Sequence, residues 1–301
     1  MSMTYVLRKA VLDAVPEVEI SPEEFASLKA SREVLVDAFA IEEKYEIVVS
    51  NFLALEKQLL EVAATNAVRS THDYGEFFEI ISALNIRLVN LLTATKLYLD
   101  QLPQHVSDCV TNGVDIVDSV KRRCSEEYDK SFEYRFMEAF RNHVQHRGTP
   151  IHSFRPDSHW TSFDELGQME FSVFITAKKE MLESDGKFKK AVLSEMGQDV
   201  NLLAAARKYV ESLSSIHQFV RDLISGSIVD ARTLIESAHT RYAKVFSGSL
   251  IGLSALEMGD DGVRSSVPLL LEWDDVRLKL QQKNRQLINL AKRYVTSRIP
   301  N

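Results

Sequence analysis

The sequence predicts a mainly α-helical protein: a helical bundle followed by additional C-terminal helices, with at most a minor β element. Three observations carry this. Apolar residues recur at helical spacing over most of the chain. Only seven prolines interrupt its 301 residues. Short breaks of the kind that end helices separate the periodic stretches, as in a bundle. The length allows one large or two ordinary domains, and 45% apolar with 26% charged residues is a globular composition.

Ser21-Pro22-Glu23-Glu24 starts the first helix, with a capping serine, proline in the first turn and two acids after it. A long helical pattern follows over 34–67, through Leu35, Phe39, Ile47, Phe52, Leu55 and Leu59, and Asp73-Tyr74-Gly75 breaks it. A second pattern over 77–102 carries Ile81, Leu84, Leu88, Leu91, Leu92 and Leu99 up to Pro103. A third covers 105–128, interrupted near Asn112-Gly113. The fourth, 132–146, stops at Arg147-Gly148 with Pro150 beyond, a glycine-then-proline helix stop. These segments define a bundle over 21–150.

Beyond it, 151–167 reads as a polar loop and 169–181 as a strand, by its partial alternation. Helix returns over 188–223, ended by Ser225-Gly226-Ser227, and again over 228–245. Residues 247–267 read as loop, 268–271 as a short strand and 274–295 as a final amphipathic helix. The expected organisation is a bundle over 21–150 and a mostly helical extension over 151–301 packed on it.

The formal charge of −7, from 36 basic and 43 acidic residues, argues against a protein that coats nucleic acid non-specifically. It leaves room for a small basic site. Cys109 and Cys124 are the only cysteines, so neither a disulfide scaffold nor a cysteine-built zinc site is expected. The N-terminus makes a poor signal peptide, and no run approaches eighteen apolar residues. The expectation is a cytoplasmic protein with no membrane association.

Chemistry concentrates in one place. Four of the eight histidines, His143, His146, His152 and His159, lie close together, the first two in Phe140-Arg141-Asn142-His143-Val144-Gln145-His146-Arg147. On a helix, residues four apart share a face. Phe132, Phe136, Phe140 and Val144 then form a core stripe, while Tyr134, Glu138, Asn142 and His146 form a polar one. Arg141 and Gln145 flank the polar stripe; His143 and Arg147 lie on a further flank. Arg141 and His146 are about 140° apart around the axis, so both reach one ligand only from the edges of a groove or across a partner surface.

Read plainly, Arg141 pairs with Glu138 on the helix face and His146 complements the helix dipole. Read chemically, the same run can hold a phosphate, move a proton or bind a metal. A metal site built from His143 and His146 with His152, Asp157 or His159 is possible, but His-x-x-His alone is weak and no HExxH is present. No Gly-x-Ser-x-Gly elbow, Walker loop or dinucleotide fingerprint occurs.

Arg141-Asn142-x-x-x-His146, with apolar Phe140 before it, resembles the signature of the HEPN superfamily, an arginine and a histidine four to six residues apart. The resemblance covers residues 30–150. It implies a small helical bundle that dimerises. In catalytic members it also implies a metal-independent endoribonuclease of toxin–antitoxin or antiviral systems, with a composite site at the dimer. On that resemblance Arg141, Asn142 and His146 are the candidate catalytic residues; Glu138, Tyr134, His143 and Arg147 support them. His146 would act as general acid or base, Arg141 would bind phosphate oxygens, and Arg122, Arg123, Arg135, Arg147 and Arg155 would supply a basic rim. RNA is the implied substrate, a homodimer and an antitoxin or other regulatory protein the implied partners, and no metal or cofactor is implied. The alternative is a non-catalytic helical protein that binds RNA or a nucleotide, or serves as an adaptor, with Trp160 and Trp273 in its core or interface.

Overall fold

A computed structural model describes residues 3–10, 15–69, 73–110, 113–164 and 167–296. In chain order it contains β1 (Thr4–Lys9), β2 (Val18–Glu19), α1 (Pro22–Val68), α2 (Tyr74–Asp108), α3 (Gly113–Lys130) and α4 (Phe132–His146). These are followed by β3 (Ser153–Trp160), β4 (Met169–Lys178), α5 (Lys179–Ser184), α6 (Lys190–Glu195), β5 (Asp199–Asn201) and α7 (Leu202–Ala243). The chain closes with β6 (Leu253–Gly259), β7 (Gly262–Pro268), α8 (Glu272–Lys283) and a 3-10 turn at Leu290–Lys292. The fold is predominantly helical with additional C-terminal helices, and its modest β component takes the form of two small sheets.

Two compact units form, each from three segments: Met1–Glu43, Gln101–Lys121 and Phe219–Arg285 in one, Lys44–Asp100, Arg122–Gln218 and Gln286–Asn301 in the other. In the first, an antiparallel sheet of order β2-β1-β6-β7 buries Leu7, Leu253, Ala255 and Val267. Leu28, Leu35, Ile235 and Tyr242 complete that core. Arg221 grips Glu42 through Nε at 2.8 Å and Nη2 at 2.6 Å, and Asp274 is buried between Arg277 and Arg232. Trp273 packs edge-on against Phe39 beneath Arg32.

The second unit holds the antiparallel sheet β3-β4-β5 and a helical core of Leu55, Leu84, Leu88, Leu91, Phe136, Phe140 and Tyr209. His217 is buried there, its Nδ1 2.9 Å from the Tyr98 hydroxyl and its ring stacked on Tyr45. By length and composition alone α2 could cross a membrane, with a best window of mean hydropathy 1.4. The core helix of a soluble protein passes the same test.

Several expected boundaries move. Pro103 lies inside α2, whose path continues because Leu102 and Val106 on either side are buried. Their burial outweighs a helix penalty of about 3 kcal/mol. Ser225-Gly226-Ser227 is likewise inside α7, between buried Ile224 and Ile228. The expected helix over 188–223 divides into α6, β5 and the start of α7, and the final helix ends at Lys283. Two expected loops are strands. Pro156 is accommodated because β3 is a sheet edge that needs no donor on its outer side. The 247–267 segment contains the β6–β7 hairpin, whose turn ends at Gly262 with φ of 110°, a conformation that favours glycine.

Candidate functional site

The site belongs to the second unit and is organised by α4. Ser131 Oγ accepts the Tyr134 N–H at 3.2 Å and caps the helix. Phe136 and Phe140 are fully buried and stack 5.0 Å apart, while Phe132 and Val144 are half-buried, so one side of the helix faces the core as its stripe implies. The Arg147 N–H closes the last turn on the His143 carbonyl. Beyond it the Ile151 N–H donates to Asn85 Oδ1 at 3.0 Å, which fastens the exit to α2.

A cleft of about 640 Å³ opens along the C-terminal half of α4. Glu138, Asn142, His143, His146 and Arg147 line it from the helix and its cap, and Tyr128 lines it from α3. Asp185, Lys187, Phe188 and Lys189 enter from the turn after α5. Asn142, His146, Arg147, Lys187 and Lys189 are exposed. Lys189 Nζ contacts the Tyr128 hydroxyl and lies 4.9 Å from the centre of its ring.

Arg147, Lys187 and Lys189 give the cleft three cations against two carboxylates, Glu138 and Asp185. Both carboxylates are already engaged. Glu138 accepts the Tyr209 hydroxyl and has Arg141 Nη2 at 3.7 Å; Asp185 Oδ2 lies 3.3 Å from His143 Nδ1. The cleft therefore presents positive charge within an acidic protein, an arrangement suited to a phosphate group.

Two candidate residues lie elsewhere than the polar stripe implies. Tyr134 is 3% exposed, edge-on to Tyr209 at 5.0 Å. Burial, aided by Glu138, holds both phenols above their ordinary ionisation range, so each is a neutral donor. Arg141 is 7% exposed and does not line the cleft. It continues the buried row begun by Tyr134 and Met137, and its Nη2 donates to Asn142 Oδ1 at 2.8 Å. Its Nε and Nη1 are buried without hydrogen-bond partners among the described residues. The arginine thus stands behind Asn142 and Glu138 as a buried cation.

The remaining histidines separate. His152 packs edge-on to His143 at 6.2 Å, and its Nδ1 accepts the Lys178 N–H at 3.0 Å. Burial lowers its affinity for a proton and outweighs the opposing backbone hydrogen bond from Lys178, with His143 adding to the lowering. His159 is exposed near the end of β3, 3.4 Å from Glu170 and 3.9 Å from Asp157. Among the described residues no three His, Cys, Asp or Glu side chains form a metal-ligand group.

Of the expected basic rim, Arg147 alone lines the cleft. Arg135 is held by Glu195 and the carbonyls of Tyr128 and Asp129, Arg123 by Glu127 and Ser215, and Arg155 lies over Phe174. The cations that stand in their place are Lys187 and Lys189, which lie outside the expected set, as do Asp185 and Tyr128. The sequence signal available for them is the charged turn Asp185-Gly186-Lys187-Phe188-Lys189-Lys190. No protein-family model matches the chain, and no curated protein or solved structure matches it significantly.

Proposed function

We propose that the chain is a metal-independent endoribonuclease that cleaves RNA by attack of a 2′-hydroxyl on the adjacent phosphate in the α4 cleft. The observation that carries this reading is the convergence of exposed His146, Asn142 and Arg147 with Lys187 and Lys189 in one cavity. RNA supplies its own nucleophile, so the protein needs proton transfer and charge stabilisation. His146 transfers a proton, a task for which an imidazole suits neutral pH. Arg147 and the two lysines meet the phosphate oxygens, and the amide of Asn142 donates to them. Tyr128 offers a ring against which a base can stack. The O2′–P bond forms as the P–O5′ bond breaks, leaving a 2′,3′-cyclic phosphate and a 5′-hydroxyl end. A regulatory protein of the antitoxin kind would act by covering this cleft.

The burial of Arg141 favours a second reading, in which the cleft binds RNA or a nucleotide without cutting it, because the cation of the signature is withdrawn from the ligand side. One experiment separates the two. Purified wild-type protein and His146→Ala are incubated with a mixed RNA pool in EDTA at neutral pH, and products are sized and end-labelled. Wild-type cleavage with cyclic phosphate ends, lost in the variant, supports the nuclease. RNA retention by both proteins without cleavage supports binding alone.

A further inference from the structure

Resting on the ribonuclease reading, we propose that both proton-transfer groups come from a single chain: His143, oriented by Asp185, takes the 2′-hydroxyl proton, and His146 delivers a proton to the 5′-oxygen. The resemblance implies instead that the second group comes from another copy. His143 and His146 lie three residues apart on α4 and line the same cleft.

The tautomer of His143 follows from its partner. A carboxylate only accepts hydrogen bonds, so the contact of 3.3 Å between Asp185 Oδ2 and His143 Nδ1 requires the proton on Nδ1. In the neutral ring the lone pair then sits on Nε2, the atom that would accept a proton. His143 is 9% exposed, and its Nε2 edge packs beside Gly148, where a Cβ would stand 3.2 Å from Nε2 and 3.8 Å from Cε1, so a glycine at this position spares the ring that crowding. The ring is held by Phe140, Phe188 and His152, with centroids 6.3, 6.0 and 6.2 Å away. Asp185 thus acts as a positioning residue, reaching the reaction only through the imidazole.

The step balances within the site. The 2′-hydroxyl proton passes to Nε2 of His143, O2′ bonds to phosphorus, and P–O5′ breaks. The departing O5′ takes the proton of a protonated His146, and solvent restores both rings.

The test uses Asp185→Asn in the full chain, because His143 itself packs against Phe140 and Phe188 and its loss could unfold the unit. Wild type, Asp185→Asn and His146→Ala are assayed on an RNA oligonucleotide and on its analogue with sulfur in place of the bridging 5′-oxygen. A thiolate leaves without a proton. Both variants should lose about a hundredfold on the oxygen substrate, the ordinary size of a general acid–base contribution. Sulfur should restore His146→Ala and leave Asp185→Asn impaired. Nitrogen-15 shifts of His143 should show the Nδ1–H tautomer in wild type and a mixture in Asp185→Asn. An equal mixture of the two variants should remain inactive. Full activity of Asp185→Asn, its rescue by sulfur, or recovery in the mixture overturns the proposal while leaving the nuclease intact. Absence of wild-type cleavage removes the ribonuclease reading itself, and the proposal with it.

Discussion

Arg141 donates from Nη2 to Oδ1 of its neighbour Asn142 at 2.8 Å, and this contact engages the oxygen end of the amide. With Oδ1 taken, the amide nitrogen is left to donate to whatever the cleft holds. Arg141→Ala removes the cation beside Glu138 and the hydrogen bond to Asn142. A loss of about 2 kcal/mol is expected in urea unfolding, the scale of a hydrogen bond to a charged group left unmade. Asn142→Ala leaves the buried Arg141 Nη2 without that acceptor and should cost a similar amount, about 2 kcal/mol, while also weakening RNA retention. If instead Arg141→Ala leaves stability unchanged and abolishes only cleavage, the arginine acts on substrate directly.

Stability should fall in mild acid because of His152. Burial lowers the proton affinity of its folded form below the ordinary value near 6.5. The unfolded chain therefore binds more protons there, and folding stability rises with pH through that region. Stability is full above about pH 6.5 and declines as the pH drops toward the lowered folded value, by at most about 1.4 kcal/mol per unit from this group. His152→Gln, compared with wild type by urea midpoints between about pH 7.5 and pH 5, should flatten that slope. An unchanged slope assigns the acid sensitivity elsewhere.

Gly226 offers a stabilising substitution remote from the cleft. It lies inside α7, and a Cβ built there meets nothing within 4 Å. Gly226→Ala should raise stability by about 0.5 to 1 kcal/mol, since alanine restricts the unfolded chain and suits the helix. A thermal melt should move upward by a few degrees. A downward shift would mean that the helix needs the flexibility of Ser225-Gly226-Ser227.

The helices were legible where local signals agreed. Ser131, the stripe Phe136–Phe140 and the stop at Gly148 and Pro150 delimit α4 at its observed bounds, because cap, period and terminator point the same way. The β6–β7 hairpin carried a signal too, Asp261-Gly262 between two alternating runs, but its polar strand reads as loop. Tertiary packing decided what local signals could not, carrying α2 through Pro103 and α7 through Gly226.

The candidate site divides in the same way. Glu138, Asn142, His143, His146 and Arg147 share one helix and its cap, so their spacing places them together. Asp185, Lys187 and Lys189 arrive from a distant turn, and no local pattern links them to α4. The burial of Arg141 was readable in principle, since it lies four residues after fully buried Met137 and so on the same row.

Cleavage of single-stranded RNA in EDTA at neutral pH, by wild type and His146→Ala side by side, tests the central claim most directly. The account predicts fragments ending in 2′,3′-cyclic phosphate from the wild type and a loss of about 10² to 10⁴ in the variant, with unfolding midpoints that coincide. An RNA pool left intact by a folded, partner-free wild type, or cut equally by both proteins, would contradict it.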